Sequence, residues 1–195
     1  MHPNERLQLW CEDEARVGQK GRTWVVDPID GTLNYARRLG PWSVVVSAWR
    51  NQQVESVAVW TDGALYTAAA GRGAARDGRR LRLADEPEPG GVVRAEARLL
   101  PAVQAAGWLP KIVESSAAEI VSIADGRVMG AIRRGGNRRD LHGPALVVSE
   151  AGGAVVPLDD APLSGASRGL LIAHPQLVEQ LLPLATPDRT RPDDS

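Results

Sequence analysis

Two aspartates three residues apart, Asp27 and Asp30, close a short apolar run, Trp24-Val25-Val26, and are followed by Gly31-Thr32-Leu33-Asn34-Tyr35. The apolar run reads as a buried strand. Pro28, between the acids, fixes φ and stiffens the turn. Carboxylates at the mouth of a strand offer oxygen, the ligand type Mg²⁺ prefers, and the Ile29 carbonyl held between them is one more oxygen candidate. A helical turn starting at Gly31-Thr32 presents backbone N–H groups that hold a phosphate beside such ions. The competing reading is a polar turn in which Asp30 only caps a helix. The order of strand, proline, second acid and Gly-Thr favours metal and phosphate chemistry.

Two other stretches carry charge in a pattern. Arg133-Arg134-Gly135-Gly136-Asn137-Arg138-Arg139-Asp140 sets four arginines around a glycine pair. It reads either as a solvated basic loop or as a cationic rim over an anionic substrate, since arginine pairs bidentately with phosphate. Leu141, Ala145 and Val148 then follow at helical spacing, and Gly152-Gly153 closes that helix. Glu12-Asp13-Glu14 lies upstream of Asp27 and by itself reads as a solvated acidic loop. His142 and His174 read as structural, because the shell around a hard cation is built of oxygen.

Asp27-Pro28-Ile29-Asp30-Gly31-Thr32-Leu33-Asn34-Tyr35 resembles the signature of the inositol monophosphatase family, Mg²⁺-dependent, lithium-sensitive phosphatases. The resemblance implies two or more Mg²⁺ ions, with Asp27 bridging two of them and the Ile29 carbonyl and Asp30 each binding one. It implies that the Gly31 and Thr32 amides receive the phosphate and that the Thr32 hydroxyl orients the attacking water. The family's second motif, Trp-Asp before a small-residue helix and Glu-Ala-Gly-Gly, is matched by Arg139-Asp140 and Glu150-Ala151-Gly152-Gly153. That match makes Asp140 the remaining second-metal ligand. The family's upstream Gly-Glu-Glu falls on Cys11-Glu12-Asp13, which makes Asp13 a metal ligand and helper of the water; a shift in register gives the role to Glu14 or Glu12. Three departures stand out: Asp13 is shorter than glutamate, Arg139 replaces tryptophan, and Arg133 falls near the position where inositol-cleaving members carry an acid that contacts a sugar hydroxyl. With Arg133 and Arg139 at the substrate, a second anionic group is favoured over a bare polyol.

The resemblance also implies the fold, an α+β layered sandwich of α/β/α/β/α type, and a homodimer. Family members carry two long helices and a hairpin before the acidic motif, so the chain is expected to be a fragment, a mis-started frame or an N-terminally reduced member. In each case a hydrophobic sheet face would need a partner chain.

The elements that must position these residues are legible in outline. Residues 42–49, 54–60 and 65–69 read as an antiparallel meander, turned at Asp62-Gly63. Residues 71–80 read as two close turns. Residues 85–91, with Pro87, Pro89 and Gly90-Gly91, read as a linker between a first layer (1–84) and a second (85–185). Residues 92–106 read as a helix ended by Gly107, 111–114 as a strand, and 115–124 as a helix capped by Ser115 or Ser116 with Glu119 in a capping-box-like contact. Residues 128–132 and 170–173 read as strands, and 186–195 as a disordered tail.

A formal net charge of -1 excludes nucleic-acid binding driven by overall charge. The single Cys11 rules out an internal disulfide and fits a reducing cytosol. The start shows no signal pattern, and no apolar run approaches ~18 residues, so no membrane span is expected. The function expected is hydrolysis of a small phosphorylated metabolite by a metal-activated water. The alternatives are a non-catalytic relative with a structural or regulatory role, or the same scaffold acting on histidinol phosphate, a nucleoside bisphosphate or a sugar bisphosphate.

Overall fold

The computed structural model describes residues 8–10, 22–112, 114–135, 138–159 and 169–185. Its first sheet holds β1 (Gln8–Trp10), β2 (Arg22–Asp30), β3 (Ser43–Arg50), β4 (Gln53–Thr61), β5 (Ala64–Ala69), β6 (Gly73–Arg76) and β7 (Arg79–Leu81) in chain order. β1 runs parallel to β2, and every later pair is antiparallel. The stretch 71–80 is not a pair of bare turns. Asp77 and Gly78 both take positive φ, 50° and 76°, as a tight primed turn requires, so the flanking residues pair as β6 and β7.

The second sheet has the order β11 (Ala154–Pro157), β12 (Leu170–Ala173), β10 (Gly130–Arg133), β8 (Val92–Ala95), β9 (Leu109–Ile112). β8 is parallel to both β9 and β10, while β12 is antiparallel to its neighbours. The helix expected over 92–106 is corrected here. Val92–Ala95 is a strand, followed by a 3₁₀ turn at Ala97–Leu99 and the short α2 (Leu100–Ala105). The spacing Ala95, Leu99, Val103 imitates a helical stripe, but pairing on both sides by β9 and β10 overrides it. β11 had no counterpart in the sequence reading.

Between the sheets lie α3 (Ser116–Ala124) and α4 (Arg138–Glu150). Their buried side chains share one core with Val45, Val57, Val59 and Tyr66 of the first sheet and Ala131, Leu170 and Ile172 of the second. A second core joins Val93, Ala95, Ile132, Leu171 and Ala173 to Val103 of α2 and Leu181 of α5 (Val178–Ala185). The second sheet is thus covered on both faces, which is why Leu170–Ala173 is an unbroken apolar run. Sheet, helices, sheet, helices is the order of an α+β layered sandwich. α3 and α4 lie against one face of the first sheet, and the opposite face carries Trp24, Val26, Val44 and Val46, with Trp60 39% and Leu65 44% exposed.

Several polar contacts lock these layers. Ser115 caps α3, its Oγ accepting from the Ala118 N–H at 3.3 Å. Glu119 reaches back as expected, but to the Glu114 N–H at 2.8 Å, one residue before the cap. At the other end of α3, the Tyr66 hydroxyl donates to Asp125 Oδ2 at 2.6 Å, where Arg76 also donates at 3.2 Å. Burial and the Asp125 carboxylate push the Tyr66 hydroxyl up to about 12. Glu150, at the end of α4, accepts from the Gly71 and Gly73 N–H groups, each at 2.7 Å. Pro144 lies inside α4, which begins at Arg138. Having no N–H, it omits one rung of the helix ladder. His174 is buried, with Nε2 3.0 Å from the Ala84 carbonyl, which bears out its structural reading. No described helix is long and apolar enough to cross a membrane. Residues 186–195, read as a tail, lie outside the described residues.

Candidate metal and phosphate site

β2 ends with an irregularity that shapes the site. Asp27 stands opposite Val45 and Asp30 opposite Ser43, so three steps on β2 match two on β3. One residue is bulged out, and Pro28, which has no N–H for the ladder, sits in that bulge. In a regular strand, residues three apart face opposite sides. The bulge turns both carboxylates toward the face that holds Val45 and Ser43, where each is only 7% exposed. Asp27 Oδ1 accepts from the Ile29 N–H at 3.1 Å, and the Thr32 hydroxyl donates to the Ile29 carbonyl at 3.2 Å.

α1 (Thr32–Arg37) follows, and its N-cap is Gly31, not Asp30. Gly31 is left-handed, at φ +86°, and a Cβ there would stand 2.9 Å from the Ser115 Cβ. Only glycine meets both demands. Asp30 is occupied elsewhere: Oδ2 accepts from the Ser115 hydroxyl at 2.5 Å and from the Ala117 N–H at 2.9 Å, at the start of α3. Ser115 Oγ is also 3.1 Å from the buried Ser43 Oγ. The sequence marked Ser115 as a cap but carried no sign of this link, because its partner lies 85 residues away.

A hard cation fits part of this arrangement. The donors are all oxygen, both acids are buried, and the hydrogen bonds described for Asp30 come from neutral groups, so its charge has dipoles but no counter-ion in them. Asp27, the Ile29 carbonyl and Asp30 are the residues that would hold Mg²⁺. Asp140 sits half-buried in the first turn of α4, as its helix-start placement predicts. Among the described residues no group of three or more Asp, Glu, His or Cys stands ready to hold an ion. Asp13, expected as a metal ligand, and its alternatives Glu12 and Glu14 lie outside the described residues, as does the Arg139 side chain. Arg133 ends β10, partly buried. His142 is buried on α4, its ring 6.2 Å from that of Trp49 in an edge-on contact.

A second ionic group adjoins the first. Glu119, 2% exposed, stands 3.5 Å from Arg94. Burial outweighs Arg94, the Glu114 amide and Arg133, and pushes the Glu119 carboxyl up to about 8. The sequence reading had placed Glu119 only as a cap and had not singled out Arg94.

Comparison with known proteins places the fold and the family. Human inositol monophosphatase 1 is 24% identical over 193 residues, covering 87% of this chain and 69% of its own length. Nus factor SuhB of Escherichia coli K12 is 28% identical over 174 residues, covering 82% of this chain and 65% of its own. The chain therefore spans about two thirds of these curated relatives. Among solved structures, the IMPase of Thermotoga maritima superposes with a TM-score of 0.81 at 20% identity, covering 94% of this chain and 75% of its own. An IMPase/NADP phosphatase complexed with Mg²⁺ and phosphate gives 0.80 at 18% identity, covering 93% and 74%. The family profile matches residues 4–187, nearly the whole sequence. This chain belongs to the inositol monophosphatase family.

Proposed function

We propose that the chain is a Mg²⁺-dependent phosphomonoesterase acting on a small phosphorylated metabolite. The observation that carries this reading is the bulge that sets Asp27 and Asp30 on one buried face, directly before the left-handed Gly31. In this reading Asp27, Ile29 through its carbonyl, Asp30, Asp140 and Asp13 are the residues that would hold two or more Mg²⁺ ions. Mg²⁺ held by these residues would supply a lowered water pKa and charge stabilisation for the departing oxygen. The Thr32 hydroxyl, with Asp13, orients that water in line with the ester bond. Its oxygen bonds to phosphorus as the P–O ester bond breaks, leaving phosphate and an alcohol. The Gly31 and Thr32 amides stabilise charge on the phosphoryl oxygens. In this reading Arg133 and Arg139 would bind the substrate.

A second reading is a relative that keeps the fold without turnover. The similarity to a protein named as a Nus factor favours it. Phosphate release from a panel of phosphomonoesters, with Mg²⁺ and with Asp27→Asn alongside, separates the two. Release that falls at least ~100-fold in the variant is expected for a group holding the metal. A folded wild-type chain that binds Mg²⁺ and releases no phosphate from any ester overturns the proposal.

A further inference from the structure

Arg94 and Arg133 sit at the carboxyl ends of two neighbouring parallel strands. Arg94 pairs in register with Ala131, and Arg133 lies two residues beyond Ala131, on the same side of the sheet. That side faces α3, because Ala131 belongs to the core it shares with α3. Open sheets take their ligands at the carboxyl ends of parallel strands. Glu119 of α3 pairs with Arg94 and lies in electrostatic reach of Arg133, and the start of the same helix holds Asp30 through Ser115 and Ala117.

The polar atoms of this group are not all satisfied. Arg94 Nε, Arg133 Nε and Glu119 Oε2 are each buried without a hydrogen-bond partner. Arg94 spends Nη1 on the Ile112 carbonyl at 3.3 Å, and its side chain is still 27% exposed. The Glu119 carboxyl thus has two guanidiniums in electrostatic reach, along with the Asp30 carboxylate. Unsatisfied, buried donors in a partly open cationic group are what a planar, multiply charged oxyanion satisfies.

We propose that Arg94 and Arg133, braced on Glu119, form a subsite for a second phosphate group of the substrate, beside the Asp27–Gly31 motif. This rests on the phosphatase reading and narrows its substrate class to bisphosphates. The esterified phosphate at the Gly31 turn is cleaved; the distal one is held by the two arginines and left intact.

The test uses the full chain with Mg²⁺ and hydrolysis-resistant phosphonates, so that binding is read without turnover. Titration calorimetry compares a hexitol 1-phosphonate with the corresponding hexitol 1,6-bisphosphonate. The wild type is expected to bind the doubly charged ligand at least ~10-fold more tightly, the effect of about 1.4 kcal/mol. Arg94→Gln and Arg133→Gln are each expected to bring the ratio to within about twofold, and Arg94→Lys to restore part of it, which a purely structural role would not do. Circular dichroism confirms that each variant is folded. A wild type with no preference, or with no binding of either ligand, overturns the subsite, as does a preference that survives both glutamine variants. Release of phosphate from the parent esters is measured in parallel. Turnover without preference leaves the phosphatase reading standing and removes the subsite; preference without turnover does the reverse.

Discussion

Replacing Glu119 by glutamine should make the protein more stable above neutral pH and flatten its pH dependence. The carboxyl is 2% exposed, and burial outweighs Arg94, the Glu114 amide and Arg133, raising its pKa from 4.5 to about 8. Between those two values the folded chain holds a proton that the unfolded chain releases. The unfolded state therefore binds fewer protons, and stability must fall as pH rises through that window. At about 1.4 kcal/mol per pH unit, the total loss between pH 4.5 and 8 is up to about 5 kcal/mol. Glutamine keeps the shape and the acceptor for the Glu114 N–H and has no proton to lose. Urea unfolding at half-unit steps from pH 5 to 9, in EDTA so that no cation reaches Asp30, measures both proteins. The difference between them isolates this one group from the histidines. The wild type should lose stability relative to Glu119→Gln by at least about 2 kcal/mol between pH 5 and 8. A constant difference across that range would refute the reasoning, for it would mean that Glu119 is ionised throughout and paired with Arg94.

Gly31→Ala must adopt φ +86° and bring its Cβ to 2.9 Å from the Ser115 Cβ; a loss of about 2–3 kcal/mol in urea unfolding is expected, of which the left-handed conformation alone accounts for 1–2, and Ser115→Gly in the same chain should relieve the contact part. Ser115→Ala removes a donor at 2.5 Å from Asp30 and the cap of α3; stability should fall by about 1–3 kcal/mol, and the Mg²⁺ concentration for half-maximal phosphate release should shift, whereas an unshifted value would show that Ser115 does not position the carboxylate. Glu150→Gln keeps one acceptor for the two glycine amides at 2.7 Å but loses the other and the charge; a loss of about 1–3 kcal/mol is expected, without change in substrate preference.

What could be read without coordinates was local. Asp27-Pro28-Ile29-Asp30-Gly31-Thr32 announced carboxylates, a stiff turn and a glycine hinge, because those demands are met by residues adjacent in the chain. The meander strands and α3 were legible for the same reason, through alternation, paired turn residues and a serine cap. Reading failed where partners lie far apart. Val92–Ala95 imitated a helix until two neighbouring strands claimed its backbone, and Gly73–Arg76 looked like turn until β5 paired with it. The direction in which Asp27 and Asp30 point follows from register against β3, since one bulged residue moves a side chain to the other face of a sheet. The Ser115 and Ala117 donors to Asp30, and the Arg94–Glu119–Arg133 group, join elements many residues apart and exist only through packing. Residue types and local spacing determined which chemistry is on offer; long-range pairing and burial decided which atoms meet, how they are aimed, and which of their charges survive.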